Sequence, residues 1–292
     1  MIFAEQGLHE PSAQPSSDWY PLHWAVVLSH PYKLEALLLI RERPALCRAV
    51  TRHPSRLSPV HLLLSLRHPD VDVLTELLRA HPDAIKEPVP YQLSSASGAD
   101  TFPVLPVMIA ARWCQCTTAM SAVLSASVDL RTRHSLGPEG EQEVTALQAA
   151  CMNGFPLVFD MVLAADPGAV SVPNERGRYP AHIAASFGNV HAVSVLLGGQ
   201  YASAASGASA PFVLHEVVMN YFALISDSAA ASLIDVVLST EAGRADVLLR
   251  QVDDRDPEGR GRLPVNLAAR YSSRSTIQHL IERLSQMTTT IF

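Results

Sequence analysis

The chain has 292 residues, of which 48% are hydrophobic and 6% aromatic, and its formal net charge is −6 at neutral pH. This hydrophobic fraction can bury a substantial core, which argues against a chain that is disordered throughout. The acidic balance argues against a general nucleic-acid binder, because neutralising phosphates requires a basic face. Abundant alanine and leucine with few aromatics predict a helical protein.

The cysteines and the apolar segments indicate the compartment. Cys47, Cys114, Cys116 and Cys151 are too few for a disulfide framework in a chain of this length, so we expect free thiols and a reducing environment. Residues 1–19 contain no Lys or Arg, which argues against a signal or transit peptide. No apolar run reaches the ~18 residues of a membrane span. We therefore expect a soluble intracellular protein, cytoplasmic or nuclear, with an organelle left open if the chain is a mature form.

A six-residue pattern recurs seven times after an N-terminal extension at 1–19. Its copies read YPLHWA, SPVHLL, LPVMIA, TALQAA, YPAHIA, FVLHEV and LPVNLA, and they start near residues 20, 58, 105, 145, 179, 212 and 263. An apolar pair follows most copies, as at Leu37-Leu38 and Leu196-Leu197, so each repeat is predicted to be two short helices. The array covers 20–287 and leaves a tail at 288–292. The stretches 86–104, 127–144 and 241–262 are predicted to be enlarged loops, and an insertion is predicted between Ile225 and Ser232.

The residue types at these positions suit helix starts and close packing. Proline is favoured at the first position of a helix, where the amide that it lacks would have no partner. The positions are Pro21, Pro59, Pro106, Pro180 and Pro264. Ser58 and Thr145 can cap a helix, whereas Phe212-Val213 has neither device and predicts a weak start. Small side chains let helices approach closely, so we expect burial of the recurring alanines. These are Ala25, Ala110, Ala150, Ala184 and Ala268.

The pattern resembles the ankyrin repeat, whose hexapeptide is T-P-L-H-x-A and whose second helix carries V-x-x-L-L. The best match is Asn174 to Leu197, with Gly177 before the hexapeptide and Gly188 between the helices. The resemblance covers roughly 20–287. It implies an all-α solenoid of helix pairs with long loops between the repeats, and histidines that tie adjacent loops together. Those histidines are His23, His61, His182 and His215, and the positions that depart from the pattern are Met108, Gln148 and Asn266. We expect the tie to be incomplete there.

Three patterns partly match metal sites, and each lacks a ligand. The segment 215–219 approaches the zinc-protease signature H-E-x-x-H but ends in methionine. The acidic segment 254–259 opens like a calcium loop, yet Val265 occupies the twelfth position, which requires a carboxylate. Cys114 and Cys116 lack a spaced Cys/His quartet. The sequence therefore predicts no metal and no cofactor.

The resemblance also implies where a partner binds, because ankyrin proteins use the finger tips and the exposed side of the first helices as one concave surface. The first-helix positions are Arg112, Trp113, Ser186, Phe187, Arg270 and Tyr271. The finger-tip positions are Glu175, Arg176, Arg178, Arg260 and Arg262. Aromatic residues and arginine are typical of interface hot spots. A solvated loop accounts equally well for the finger charges, and loops that cover the rings are the alternative for the aromatics.

These features together favour a non-enzymatic scaffold or adaptor that binds another protein, whose identity the sequence does not give. One alternative is a structural subunit fixed within a larger multiprotein assembly. The other is an enzyme or metal-binding protein that uses the loop carboxylates or the cysteines. Neither nucleic acid nor a membrane span is expected.

Overall fold

The computed structural model describes residues 19–28, 32–51, 56–91, 102–126, 129–135, 143–198, 201, 213–219, 225–240, 244, 247 and 263–289. These residues form fourteen α-helices, three short 3-10 helices and two pairs of very short strands. The predicted all-α class is confirmed. The chain divides into two compact units, Met1–Ala169 and Val170–Phe292, called here the N-terminal and C-terminal units. Their boundary falls between the fourth and fifth predicted repeats.

The described residues of the N-terminal unit form four helix pairs. They are α1 (Pro21–Leu28) with α2 (Lys33–Glu42), α3 (Pro59–Leu64) with α4 (Val71–Ala80), α5 (Pro106–Trp113) with α6 (Thr117–Leu124), and α7 (Ala146–Asn153) with α8 (Pro156–Ala165). Successive first helices pack on one another, and so do successive second helices. Short 3-10 helices at Pro44–Arg48, Pro82–Ile85 and Pro167–Ser171 follow three of the second helices.

Two of the enlarged loops predicted in this unit contain short antiparallel strands. In the loop at 86–104, β1 (Val89–Tyr91) pairs with β2 (Phe102–Val104), with Pro90 opposite Pro103. In the loop at 127–144, β3 (His134–Ser135) pairs with β4 (Glu143–Val144). The strands therefore occur only in connections, and they leave the helical architecture unchanged.

In the described part of the C-terminal unit there are three helix pairs. They are α9 (Pro180–Ser186) with α10 (Val190–Leu197), α11 (Val213–Met219) with α12 (Asp227–Ser239), and α13 (Pro264–Tyr271) with α14 (Arg274–Thr289). The order of packing is the same as in the N-terminal unit, first helix on first helix and second on second. The predicted insertion between 225 and 232 is wrong, because α12 already begins at Asp227. The Ser226 hydroxyl accepts a hydrogen bond from the Ala229 amide and caps that start.

The predicted helix starts have the expected prolines. Each of the five repeat prolines is the first residue of its helix. Thr145 also behaves as predicted, since its hydroxyl accepts a hydrogen bond from the Gln148 amide. Ser58 does not cap α3, because its hydroxyl bonds the His61 ring instead, at 2.6 Å. Phe212 lies outside the described residues.

The repeat alanines lie in the core, as the sequence predicts. All five are at most 4% exposed, and Ala110, Ala150, Ala184 and Ala268 are fully buried. A larger side chain at such a position would have to displace the neighbouring helix. None of the described helices combines the length and the apolar character that crossing a bilayer requires.

Candidate interaction surfaces

The repeat histidine of the first helix pair joins its own helix to the following loop. The His23 Nδ1 accepts a hydrogen bond from the Tyr20 amide at 3.1 Å, so the ring proton is on Nε2, which donates to the Ala49 carbonyl at 3.1 Å. Burial lowers the pKa of His23 to about 4, although the bond to Ala49 opposes the shift. A neutral histidine therefore ties the loop that follows α2 to the start of α1.

Two other repeat histidines use Nδ1 in a similar way. The Tyr179 amide donates to His182 Nδ1 at 3.2 Å. In His61 the partner of Nδ1 is the Ser58 hydroxyl, and burial lowers the pKa of this ring to about 3, with the backbone of Val104 opposing the shift. His215 is fully buried. These histidines are structural, since each lies in the core at the start of a first helix.

In the fourth repeat the side-chain oxygen of Gln148 makes the local one of the two hydrogen bonds that His23 makes in the first repeat. The Thr145 amide donates to Gln148 Oε1 at 2.9 Å, just as the amide three residues earlier donates to Nδ1 of His23 and of His182. The expectation that Gln148 breaks the pattern is therefore wrong for this local bond, because an amide oxygen is as good an acceptor as an imidazole nitrogen. Asn266, by contrast, is exposed.

The Arg112-Trp113 pair is turned inward more than the sequence predicted. Trp113 is only 7% exposed, so the expectation of a solvent-facing ring at this position is wrong. The Arg112 guanidinium lies 5.4 Å from the centroid of the Trp113 ring and donates to the Met152 carbonyl at 3.1 Å. Arg112 therefore links the ends of α5 and α7, and only part of its side chain reaches solvent.

Asn153 completes this link from the other direction. Its Nδ2 donates to the Ala111 and Cys114 carbonyls, both at 2.8 Å. These carbonyls lie at the end of α5, where the last carbonyls of a helix lack partners within the helix. A similar bond joins the last two repeats, since the Ser272 hydroxyl donates to the Val218 carbonyl at 2.7 Å. Side chains at the ends of first helices thus satisfy the carbonyls of the neighbouring repeat.

Of Ser186 and Phe187, only Phe187 is accessible to a partner. Ser186 is buried and its hydroxyl donates to the Ile183 carbonyl at 3.0 Å, so the expectation that this residue lies on an accessible face is wrong. Phe187 is half-buried. Local helix bonding explains the difference, because a serine near a helix end can bond a carbonyl of the preceding turn.

The Arg270-Tyr271 pair lies on an exposed face of α13. Arg270 is exposed and Tyr271 half-buried, with the guanidinium 5.4 Å from the ring centroid. Asn266 lies one turn before Arg270 and is also exposed, as is Ala269. Such a face contrasts with the first helices from α3 to α11, because in those helices only Arg112 and Asn153 are not buried.

The side chain of Asn174 holds the finger at 174–178 in a turn. Asn174 Oδ1 accepts hydrogen bonds from the amides of Arg176 and Arg178, at 3.0 and 2.8 Å. Gly177 has a φ of 73°, a conformation that glycine adopts without steric cost. The turn leaves Glu175 and Arg176 exposed. Arg260 and Arg262 lie outside the described residues.

Arg178 points into the C-terminal unit and forms an ion pair with Glu216 of α11. Its guanidinium donates to the Glu216 carboxylate, and the two side chains are only 17% and 5% exposed. A partner therefore meets Arg178 only in part. The sequence alone does not reveal this pair, because the two residues are 38 positions apart and Glu216 lies in the segment that resembles a metal motif.

The same architecture is found among solved structures. This chain is similar to the crystal structure of the human ASB11 ankyrin repeat domain, with a TM-score of 0.55 and 17% sequence identity over 91% of this chain and 98% of that chain. The chain has the ankyrin-repeat fold. No protein-family model matches the sequence, and no curated protein matches it.

Free cysteines usually pack as small core residues, and the buried thiols of Cys114 and Cys151 are poor metal ligands or nucleophiles. Burial raises the pKa of Cys114 to about 11 and raises that of Cys151 further. The Cys114 sulfur instead accepts a hydrogen bond from the Cys116 amide at 3.3 Å. Within the described ranges no three His, Cys, Asp or Glu side chains are arranged to hold a metal, and the acidic segment 254–259 lies outside them.

The large exposed apolar side chains of these repeats lie on or next to second helices. Leu34 and Leu38 of α2 are one turn apart and are 73% and 56% exposed, and Tyr32 precedes them. Leu157 of α8 and Ile281 of α14 are about half exposed. Single exposed leucines are ordinary, but the Leu34–Leu38 pair forms a short apolar stripe.

Proposed function

We propose that this chain is a non-enzymatic scaffold or adaptor that binds a partner protein. The ankyrin-repeat fold supports a protein-interaction role in general. The observation that supports the proposal best is the exposed face of α13, where Arg270 lies over Tyr271 beside Asn266. Arginine and tyrosine are enriched in interface hot spots because each buries a large area and keeps a hydrogen-bonding group.

The proposed surface comprises one set of residues in each unit. In the C-terminal unit it comprises Arg270, Tyr271, Phe187, and the finger residues Glu175 and Arg176. Ser186 and Arg178 contribute little, because both are already bonded within the unit. In the N-terminal unit Arg112 is the accessible edge of the Arg112-Trp113 pair. Arg260 and Arg262 remain predictions.

A photo-cross-linking residue at position 271 tests the proposal in cells or lysate. We expect discrete adducts with one or a few proteins at this position and none at position 232, since Ser232 is an exposed residue of the second helix α12. Arg270→Glu should abolish the adducts at 271 without changing the melting temperature, because an exposed side chain contributes little to stability. Equal labelling at 271 and 232 would contradict the proposed surface.

A second candidate is a structural subunit fixed within a larger assembly, and the Leu34–Leu38 stripe favours it. A subunit of this kind exposes apolar surface when it is separated from its complex. Size-exclusion chromatography of the purified chain distinguishes the two. An adaptor should elute as a stable monomer, whereas a fixed subunit should aggregate, and Leu34→Gln with Leu38→Gln should then restore a monomer.

A further inference from the structure

A small cavity of about 230 Å³ lies in the N-terminal unit, at the start of α3. The loops that follow α2 and α4 form its sides, through Cys47 and Arg48 from one loop and Glu87 from the other. Arg56, Ser58 and His61 complete its polar lining. The cavity is smaller than the ~300–1,000 Å³ of most small-molecule pockets. Its size therefore suits one side chain of a partner segment.

Two arginines without partners give the cavity its charge. Arg48 and Arg56 are exposed, and within the described part of the chain neither guanidinium makes a hydrogen bond or an ion pair. Arg131 in the same unit, by contrast, is paired with Asp166 at 2.7 Å. An arginine fork binds a carboxylate through two parallel hydrogen bonds. The two free forks at this cavity therefore have unused capacity to bind an anion.

Glu87 and His61 set the net charge that the arginines present. The Glu87 carboxylate lies 3.4 Å from a ring nitrogen of His81 and contributes one negative charge to the lining. His61 is neutral at physiological pH, since its ring is buried and bonded to Ser58. The titratable side chains of the lining thus give two positive charges and one negative. The lining therefore carries a net positive charge of one, which matches an anion with a single charge better than a doubly charged phosphate.

The backbone at Arg56 is consistent with a specialised position. Its φ of 42° is the one positive value for a residue other than glycine in the described segments. Residues with side chains rarely adopt this conformation, and such outliers concentrate at binding sites. Arg56 lies in the lining of the cavity, three residues before the start of α3.

We propose that this cavity binds the carboxylate of a single aspartate or glutamate side chain in the partner protein, held between the guanidinium groups of Arg48 and Arg56. The inference rests on the proposed function, because it assumes that a protein segment reaches this part of the repeats. The N-terminal unit would then contribute a contact that is specific for an acidic side chain of the partner.

Nuclear magnetic resonance with 15N-labelled arginine tests the site directly. The probe is N-acetyl-L-glutamate α-amide, which carries one carboxylate, and the neutral control is N-acetyl-L-glutamine α-amide. We expect the side-chain Nε–H signals of Arg48 and Arg56 to shift saturably with a Kd on the order of millimolar. The glutamine analogue should produce no saturable shift. Equal shifts with both compounds, or none with either, would overturn the proposal.

Substitutions identify the side chains that bind the glutamate probe. Arg48→Gln with Arg56→Gln should weaken binding of the glutamate probe at least roughly tenfold, because two charge-assisted hydrogen-bonding groups are lost. The matched control is Arg41→Gln with Arg43→Gln, which removes two exposed arginines outside the cavity and should leave binding unchanged. If N-acetyl-O-phospho-L-serine amide binds more tightly than the glutamate probe, the preference for a single charge is wrong.

The same variants separate this inference from the proposed function. If the chain still forms adducts at position 271 and the glutamate probe does not bind, only the cavity proposal fails. If the probe binds and no protein is cross-linked at position 271, the proposed interaction surface fails and the anion site stands.

Discussion

The guanidinium of Arg178, on the finger before α9, donates a hydrogen bond to the carboxylate of Glu216, in the middle of α11. Both side chains are largely buried, so each charge depends on the other for the solvation that water would otherwise provide. The pair holds the finger of one repeat against the first helix of the next. It also removes one of the predicted finger-tip arginines from the set that a partner can reach freely.

Arg178→Ala should therefore destabilise the C-terminal unit strongly. Breaking a buried pair leaves an unpaired charge, and we expect the free energy of unfolding to fall by about 3 kcal/mol. Urea denaturation followed by circular dichroism measures the change. Arg176→Ala is the matched control, since this arginine is exposed in the same finger and its loss should change stability by less than about 0.5 kcal/mol. Similar losses in the two variants would show that the ion pair does not stabilise the fold.

Asn174→Asp should stabilise the same finger. The Asn174 oxygen already accepts two backbone amides, whereas its buried Nδ2 lacks a hydrogen bond in the described structure. A carboxylate would remove the unpaired donor and strengthen both bonds to the amides. We expect a gain of about 1 kcal/mol at pH 7, measured by thermal and urea unfolding. Asn174→Ala should lower stability by a similar amount, and a loss in the aspartate variant would contradict this account.

Much of this fold could be predicted because its signals are local. A proline with an alanine four residues later marks the start of four first helices, and the structure begins helices at Pro21, Pro106, Pro180 and Pro264 accordingly. The accessible surface could not be predicted in the same way. Trp113 and Ser186 occupy positions that the repeat exposes on average, yet both are buried here, and the Ser186 hydroxyl bonds the Ile183 carbonyl of its own helix. The Arg178–Glu216 pair joins residues that are remote in sequence.

His23→Gln should reduce the fall in the free energy of unfolding that occurs as the pH is lowered. The pKa of His23 is lowered to about 4 in the folded state, so between pH 6.5 and 4 the unfolded chain binds more protons and stability falls as the pH falls. The effect of this one histidine reaches at most about 3 kcal/mol. Glutamine does not titrate, and Gln148 shows that its oxygen can accept the helix-start amide.

The measurement is the free energy of unfolding at pH 7.5 and at pH 4.5. We expect His23→Gln to lose less stability between the two values than the parent chain. His68→Gln serves as the control for the loss of a histidine side chain at an exposed position. An unaltered acid response in His23→Gln would mean that this buried ring is not a source of the pH dependence.

Asn153→Ala should loosen the junction between α5 and α7. Its amide donates to the Ala111 and Cys114 carbonyls, and without it two largely buried acceptors at the end of α5 lose their partner. We expect the free energy of unfolding to fall by about 2 kcal/mol, since unsatisfied buried groups cost about 1–3 kcal/mol. Asn153→Asp should destabilise the chain more than Asn153→Ala, because a carboxylate would face two carbonyl oxygens without a proton to donate.

Hydrogen exchange of the Cys114 amide, which bonds the Ala110 carbonyl at 2.9 Å, should accelerate in both variants. Asn266→Ala is the control on an exposed first-helix asparagine, and a comparable loss there would refute the role assigned to Asn153.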